Sequence, residues 1–198
     1  MNKIFCIIGK SSSGKDSVMN ELIKDEELSG IKSVITCTTR PKRKNETQGK
    51  EYYFLTEEEY QKLKNENKII EERNYNTVQG LWRYFLADTN QFDFEKNSYI
   101  IVETLEGFMA LKKAFGVDKI YGIYIFVEDD IRLLRAIERE KKQENPDYKE
   151  LCRRFLADCE DFSKEKLKEA KINVKIENIS LQDTVNAVKS DILKIMSK

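Results

Sequence analysis

The chain has 198 residues, 40% of them hydrophobic, and its 35 Lys+Arg balance 35 Asp+Glu. That is enough apolar material for one globular domain with insertions, and a formal charge of zero gives no support to a broadly basic nucleic-acid binder. The absence of histidine excludes Ser-His-Asp and Cys-His nucleophilic mechanisms, imidazole bases and histidine-ligated metals.

Cys6, Cys37, Cys152 and Cys159 lack the paired short spacings of a zinc site and read as reduced thiols. The apolar run Ile4 to Ile8 is too short for a secretory leader, and nothing approaches the length of a membrane span. The expected location is the cytoplasm, with no membrane partner.

In chain order, Ile4-Phe5-Cys6-Ile7-Ile8 reads as a buried strand and Ser17 to Ile23 as the start of a helix. Between them lies Gly9-Lys10-Ser11-Ser12-Ser13-Gly14-Lys15-Asp16. Glycines in this strand-to-helix context let backbone N–H groups curl inward, the helix start adds positive potential, and Lys15 reaches outer phosphates. The usual hydroxyl residue after the lysine is Asp16 here. Its carboxylate suits a helix N-terminus and repels a triphosphate unless a metal lies between them.

A second strand is expected at Ser33-Val34-Ile35. It leads to Thr36-Cys37-Thr38-Thr39-Arg40-Pro41-Lys42-Arg43-Lys44, which is either a solvated basic loop or a second phosphate site, since guanidinium forks match phosphate oxygens. Gly49 to Leu55 reads as a strand. Thr56 with Glu59 forms a capping box that opens a helix. Lys68 to Glu71 and Leu81 to Leu86 read as strands around a Gln79-Gly80 turn, so this middle section is a small mixed subdomain.

Strand-helix alternation resumes at Ser98 to Val102, a helix from Glu106 to Phe115, and a strand from Tyr121 to Val127. A charged helix from Glu128 to Lys142 carries Arg132, Arg135 and Arg139. After Pro146 a second helix runs to about Lys171, followed by a strand from Ile172 to Ile176 and a closing helix from Ser180 to Met196. The pattern predicts an α/β fold with a parallel sheet covered on both faces.

With the glycine loop and the Thr-Arg segment both in hand, the chain resembles the guanylate kinases, nucleoside-monophosphate kinases that move phosphate from ATP to GMP. Ser33 to Phe54 is similar to the family pattern Ser-Val-Ser-x-Thr-Thr-Arg-x-Pro-Arg-x-Gly-Glu-x-x-Gly-x-x-Tyr-x-Phe, with the proline displaced by one position. The resemblance covers nearly the whole chain. It implies a three-layer P-loop NTPase fold with a parallel sheet, an inserted mixed α/β acceptor-binding subdomain and a helical lid. The implied core is 1–35, 91–128 and 172–198, with a monophosphate-binding subdomain at 36–90 and a lid with its following helix at 129–171.

The resemblance implies that ATP with Mg2+ binds on Gly9, Lys10, Ser11, Ser12, Ser13, Gly14, Lys15, Asp16 and Ser17, with Asn178 beside the adenine and Asp16 as the metal ligand. Arg40, Arg43 and Tyr52 would hold the monophosphate of GMP, and Thr36 stands in place of a base-contacting serine. Glu71 stands nineteen residues after Tyr52, as does the family's guanine-binding glutamate, and a carboxylate there can accept from both N–H groups of the guanine edge. Tyr84 would supply a phosphate-contacting phenol, with Trp82 and Arg83 competing on alternative registers. The family's acidic Asp-x-Asp before Gln-Gly becomes Val102-Glu103-Thr104-Leu105-Glu106-Gly107 here, with both aspartates lost and Glu103 one position off register; Glu103 and Thr104 are the acceptor-side residues the resemblance implies there. Lys15, Arg135, Arg139 and Arg154 would stabilise the transferring phosphoryl group, with Asp161 as the acidic residue downstream of Arg154.

Two other readings stay open: a kinase of another (deoxy)nucleotide or small phosphorylated acceptor, and a non-catalytic module that binds phosphopeptides. The intact Gly9, Gly14, Lys15 and lid arginines point to the enzyme. Oligomeric state is not legible.

Overall fold

A computed structural model describes residues 2–43, 46–50, 52–77, 80–88 and 91–197, with 76 and 77 through their backbone alone. The chain folds as two compact units, Met1–Lys32 with Ser98–Lys198, and Ser33–Asn97.

In the first unit, β1 (Ile4–Ile8) is buried along its whole length. It lies in the middle of a five-stranded sheet ordered β2 (Ile31–Ser33), β7 (Ser98–Glu103), β1, β8 (Ile120–Phe126), β9 (Val174–Glu177). Ile4 pairs with Tyr99 on one side and Ile120 on the other, both parallel, and β8 pairs parallel with β9. The chain therefore crosses over β1 between β7 and β8. In open parallel sheets, the crevice beyond the carboxyl ends of strands at such a point is where ligands bind, and the glycine loop leaves β1 there.

The period-two side-chain alternation of β1 feeds two layers. Phe5 and Ile7 pack with Val18 and Leu22 of α1 (Lys15–Leu22) and with Val188 and Ile192 of α7 (Leu181–Met196). Each such side chain, fully removed from water, contributes about 1.5–3 kcal/mol. Ile4, Cys6 and Ile8 are equally buried and face the other layer, where Phe108 of α3 (Leu105–Phe115) lies so close to Gly122 that a Cβ there would be 2.6 Å from its ring. α4 (Asp129–Glu140), α5 (Tyr148–Asp161) and α6 (Lys164–Ala170) complete this unit.

The second unit is a four-stranded sheet ordered β4 (Tyr53–Phe54), β3 (Cys37–Thr38), β6 (Gly80–Ala87), β5 (Ile69–Thr77), with α2 (Glu57–Asn65) on one face. The Thr56–Glu59 capping box is present in full. Tyr60 of α2 is fully buried against Cys37, Phe85 and Ala87. A β-bulge falls between Ile69 and Glu71, since Ile69 pairs with Ala87 and Glu71 with Leu86. The extra residue reverses the facing of the strand beyond it. Ile69 packs toward α2, and so does Glu72, which binds Tyr60 and Lys64. Glu71 is thereby turned to the opposite face.

Several expected boundaries move. The second strand lies at Ile31–Ser33 rather than 33–35. The strand expected over 49–55 shrinks to Tyr53–Phe54 plus a bridge between Gln48 and Tyr52. The long helix expected to reach Lys171 breaks at Phe162, whose ring stacks on Tyr124 at 5.5 Å. Ser163 then caps a new helix by accepting from Lys166 N–H. In the expected Gln79-Gly80 turn, Gln79 lies outside the described residues.

Candidate active site

The glycine loop of the first unit is built by close approach. At Gly9 a Cβ would meet Ser13 Oγ at 2.5 Å and the Ile125 carbonyl at 2.8 Å, and at Gly14, where φ is +87°, one would meet Asn178 Nδ2 at 2.3 Å. Ser12 also takes a left-handed φ of 63° without being glycine, a conformation that costs on the order of 1–3 kcal/mol and persists only where surroundings enforce it. The Oγ atoms of Ser12 and Ser13 are buried with no hydrogen-bond partner among the described residues.

The enforcing contacts come from α4 and α5, and from Asn178 just beyond β9. Arg132, 1% exposed, donates from Nη1 to the Ser11 carbonyl at 3.3 Å and to Asp158 Oδ2 at 3.0 Å, while the Ser11 N–H donates to that same oxygen at 2.8 Å. The Arg132 guanidinium stacks 4.0 Å from the Phe155 ring centroid, and its Nε donates to Asp129 Oδ1 at 3.1 Å. Lys10 donates to the same Asp129 oxygen at 3.0 Å. Burial opposes ionisation of Asp129, but Lys10 and Arg132 outweigh it and hold the carboxyl below its ordinary range.

Asn178, expected beside adenine, is buried and serves the loop. Its Nδ2 donates to the Ser13 carbonyl at 2.7 Å and its Oδ1 accepts from the Thr184 hydroxyl at 3.0 Å. Arg135 donates to the Asn178 carbonyl at 3.1 Å. Arg139 and Arg154 line a cavity of about 340 Å³ with Ser11, Ser12, Arg132 and Phe155, so two of the three lid arginines are brought to the glycine loop. Asp161 does not join them; it pairs with Lys166 at 3.2 Å, and Asp158, one turn earlier, is the carboxylate that turns to the loop.

Lys15 opens α1 with its amine 3.2 Å from the Asp16 carboxylate, which is 76% exposed. Ser17, one residue on, is exposed. Glu103 and Thr104 end β7 and begin α3. The Thr104 hydroxyl accepts the Gly107 N–H at 3.0 Å as N-cap, and Glu103 Oε2 accepts the Thr104 N–H at 3.1 Å. A Cβ at Gly107 would come within 2.3 Å of that oxygen. Both residues thus take part in starting a helix of the first unit.

In the second unit, Arg40 is buried and forks onto Glu46, Nη1 to Oε2 at 2.7 Å and Nη2 to Oε1. Its guanidinium lies 5.3 Å from the ring centroids of both Tyr52 and Phe54. Its Nε is buried with no partner among the described residues. The hydrogen bond from Arg40 pulls the Glu46 carboxyl down to about 2, and Glu46 in turn raises Arg40 above its ordinary value. Arg43 donates its backbone N–H to Glu46 at 2.8 Å and its side chain is exposed. Tyr84 meets Tyr52 edge to face at 5.7 Å and contributes to the shift of Arg40. Arg83 points the other way, bonding Glu57 at 2.9 Å over the Tyr60 ring, which removes it from the Arg40 side; Trp82, two residues before Tyr84 on β6, shares the face of Tyr84.

Glu71, with 6% of its side chain exposed, faces that same side and pairs with Arg73 Nη2 at 3.2 Å. The Thr36 carbonyl accepts from Tyr53 N–H at 2.9 Å, which leads the chain into β3. Sequence reasoning gave no role to Arg132, Asp129, Asp158, Glu46 or Arg73. For Arg132 the only local signal is Asp129 three residues earlier; Asp158 is 26 residues away.

A protein-family model described as guanylate kinase matches residues 1–194. A guanylate kinase of Thermotoga maritima is 32% identical over 57% of this chain and 53% of its own length. One from Mycoplasmoides gallisepticum is 26% identical over 96% of this chain and 92% of its own. The chain spans about half the length of the first relatives it matches, 53% for Thermotoga and 47% for a chloroplastic/mitochondrial guanylate kinase 2 of Oryza sativa. Among solved structures, a guanylate kinase from Anaplasma phagocytophilum superposes with a TM-score of 0.64 at 25% identity, covering 98% of this chain and 86% of that one. A match running from the first strand into the last helix, on a sheet that places its glycine loop at the crossover point, means that the chain belongs to the guanylate kinase family.

Proposed function

We propose that the chain is an ATP-dependent guanylate kinase that transfers the γ-phosphate of ATP to GMP. The observation that carries this reading is the cavity in which Arg139 and Arg154 meet Ser11 and Ser12 of the glycine loop. A strained loop with two buried hydroxyls, and two arginines that line the cavity beside it, suit a polyphosphate whose charge grows during transfer.

ATP is assigned to Gly9 through Ser17, with Lys15 at the outer phosphates, and the GMP phosphate to Arg40, Arg43, Tyr52 and Tyr84. Glu71 and Thr36 take the guanine. An oxygen of the GMP phosphate forms a bond to the γ-phosphorus as the bond to the β–γ bridging oxygen breaks, and ADP leaves with that electron pair. The nucleophile is already ionised, so no base is required. Lys15, Arg135, Arg139 and Arg154 stabilise the charge on the equatorial oxygens.

Among the described residues no group of three His, Cys, Asp or Glu could hold a metal alone. A metal here therefore draws most ligands from nucleotide and water, which is the habit of magnesium. The exposed Asp16 carboxylate beside Lys15 fits as the single protein ligand. Held by Asp16, Mg2+ would supply positive charge against the phosphate oxygens of ATP. The cytoplasm is the assigned location, in keeping with four cysteines outside any disulfide and with no described helix long and apolar enough to cross a membrane.

The test is a coupled ADP assay with ATP-Mg across GMP, dGMP, AMP, CMP, UMP and dTMP. GMP is expected to be the preferred acceptor. A clear preference for adenine or a pyrimidine overturns the assignment of Glu71, and no thermal shift with millimolar ATP-Mg favours a binding module over an enzyme.

A further inference from the structure

Beside Glu71 stands a second charged group, Arg73. Arg73 comes two residues after Glu71 on β5, so both point to the face opposite α2. Its Nη2 lies 3.2 Å from Glu71 Oε1. Across the hairpin, Arg73 pairs with Tyr84 and Glu71 with Leu86.

Guanine presents three polar groups in a row, the donors N2–H and N1–H and the acceptor O6. A carboxylate matches the first two and repels the third. The position directly across from Glu71 is Leu86, which has no donor to give. A guanidinium does, and arginine against guanine O6 and N7 is the commonest specific pairing in base recognition.

We infer that Arg73 is a specificity-determining residue, donating to O6 of the guanine whose N1–H and N2–H Glu71 accepts. The inference rests on GMP being the acceptor. Glu71 is nearly enclosed while Arg73 keeps 31% of its side chain exposed, so of the two side chains the arginine is the one more open to an incoming base. The pair also works against adenine, whose N6 amine would meet the guanidinium donor to donor and whose N1 would meet the carboxylate acceptor to acceptor.

The test compares kcat/KM for GMP, 6-thioguanosine 5′-monophosphate and IMP in the wild type and in Arg73→Met, Arg73→Lys and Thr36→Val. Sulfur at position 6 is a weak acceptor, whereas IMP keeps O6 and loses the N2 amine. The wild type is expected to favour GMP over the thio analogue by about tenfold, the scale of one good base contact. In Arg73→Met that ratio falls toward one while the GMP to IMP ratio, set by Glu71, stays within about twofold, an effect that simple loosening of the sheet would not produce. Arg73→Lys restores part of the sulfur discrimination. An unchanged sulfur ratio in Arg73→Met, or its loss in Thr36→Val instead, overturns the inference while leaving GMP as the acceptor. A wild type that phosphorylates no guanine nucleotide removes the proposed reaction itself.

Discussion

Arg132 and Asp158 hold one residue of the glycine loop from its two polar sides. Arg132 takes the Ser11 carbonyl at 3.3 Å, Asp158 takes the Ser11 N–H at 2.8 Å, and the two charges meet at 3.0 Å. The next residue, Ser12, sits at φ 63° without glycine's freedom. The clamp and the strain are therefore two sides of one arrangement, in which α4 and α5 pin the residue before the unfavourable turn.

Asp158→Asn weakens that pinning by replacing a charge-assisted contact worth roughly 1.5–3 kcal/mol. The expected result is a fall of about ten- to hundredfold in kcat/KM for ATP. Ser12→Gly adopts the same φ without strain but gives up the loop hydroxyl, so on its own it lowers kcat/KM by about two- to tenfold, the scale of one neutral hydrogen bond. On that background Asp158→Asn costs less than it does in the wild type. A double-mutant cycle on steady-state rates measures this coupling, and additive effects would remove the link between clamp and strain.

Gly14→Ala meets two obstacles at once. Its φ of +87° is strained for alanine, and the new Cβ would lie 2.3 Å from Asn178 Nδ2, the atom that holds the Ser13 carbonyl at 2.7 Å. We expect a stability loss of about 1–3 kcal/mol in urea unfolding, together with loss of the thermal shift that ATP-Mg gives. Gly30→Ala, with nothing within 4 Å of its Cβ, is the control and leaves both unchanged.

Legibility in the sequence depended on distance along the chain. The glycine loop could be read because its strand, glycines, lysine and helix are contiguous. The Thr56 capping box could be read for the same reason, its partners standing three residues apart. Arg132 and Asp158 were not, because their pairing depends on how α4 and α5 pack, and an arginine on a charged helix looks solvated until burial is known. Arg73 was hidden by the bulge between Ile69 and Glu71. Strict alternation puts Glu71 and Arg73 on the same side as Ile69, toward α2, and the pairing shift alone turns them away. The resemblance supplied Glu71, but only the bulge explains why Glu71 rather than Glu72 is available.

Lys15→Ala removes the cation at the head of α1 and leaves Asp16 without its 3.2 Å partner. If transfer depends on charge at the γ-phosphate, kcat falls by roughly 10²–10³-fold, the scale for losing one transition-state donor. Stability changes little because the Asp16 carboxylate is 76% exposed and water takes the place of its partner. The coupled ADP assay and a thermal melt read the two quantities separately. Near-normal turnover would sink the assigned role of Lys15.

The Arg40–Glu46 pair sets an acid limb on stability. Glu46 has its folded carboxyl drawn to about 2 by the Arg40 hydrogen bond, against an ordinary value of 4.5. A depressed carboxyl binds fewer protons folded than unfolded, so its stabilisation is complete above 4.5 and disappears as pH falls from 4.5 through 2. Between those values the wild type is expected to lose stability more steeply than Glu46→Gln, whose amide does not titrate. At neutral pH the order is the same as for any broken buried pair: Glu46→Gln is the less stable protein, because Arg40, 4% exposed, keeps its charge with a neutral partner. Urea midpoints for both proteins at steps from pH 7 to pH 2.5 test this. The difference between the two curves should narrow on the acid side, and parallel curves would mean that Glu46 does not carry the Arg40 charge.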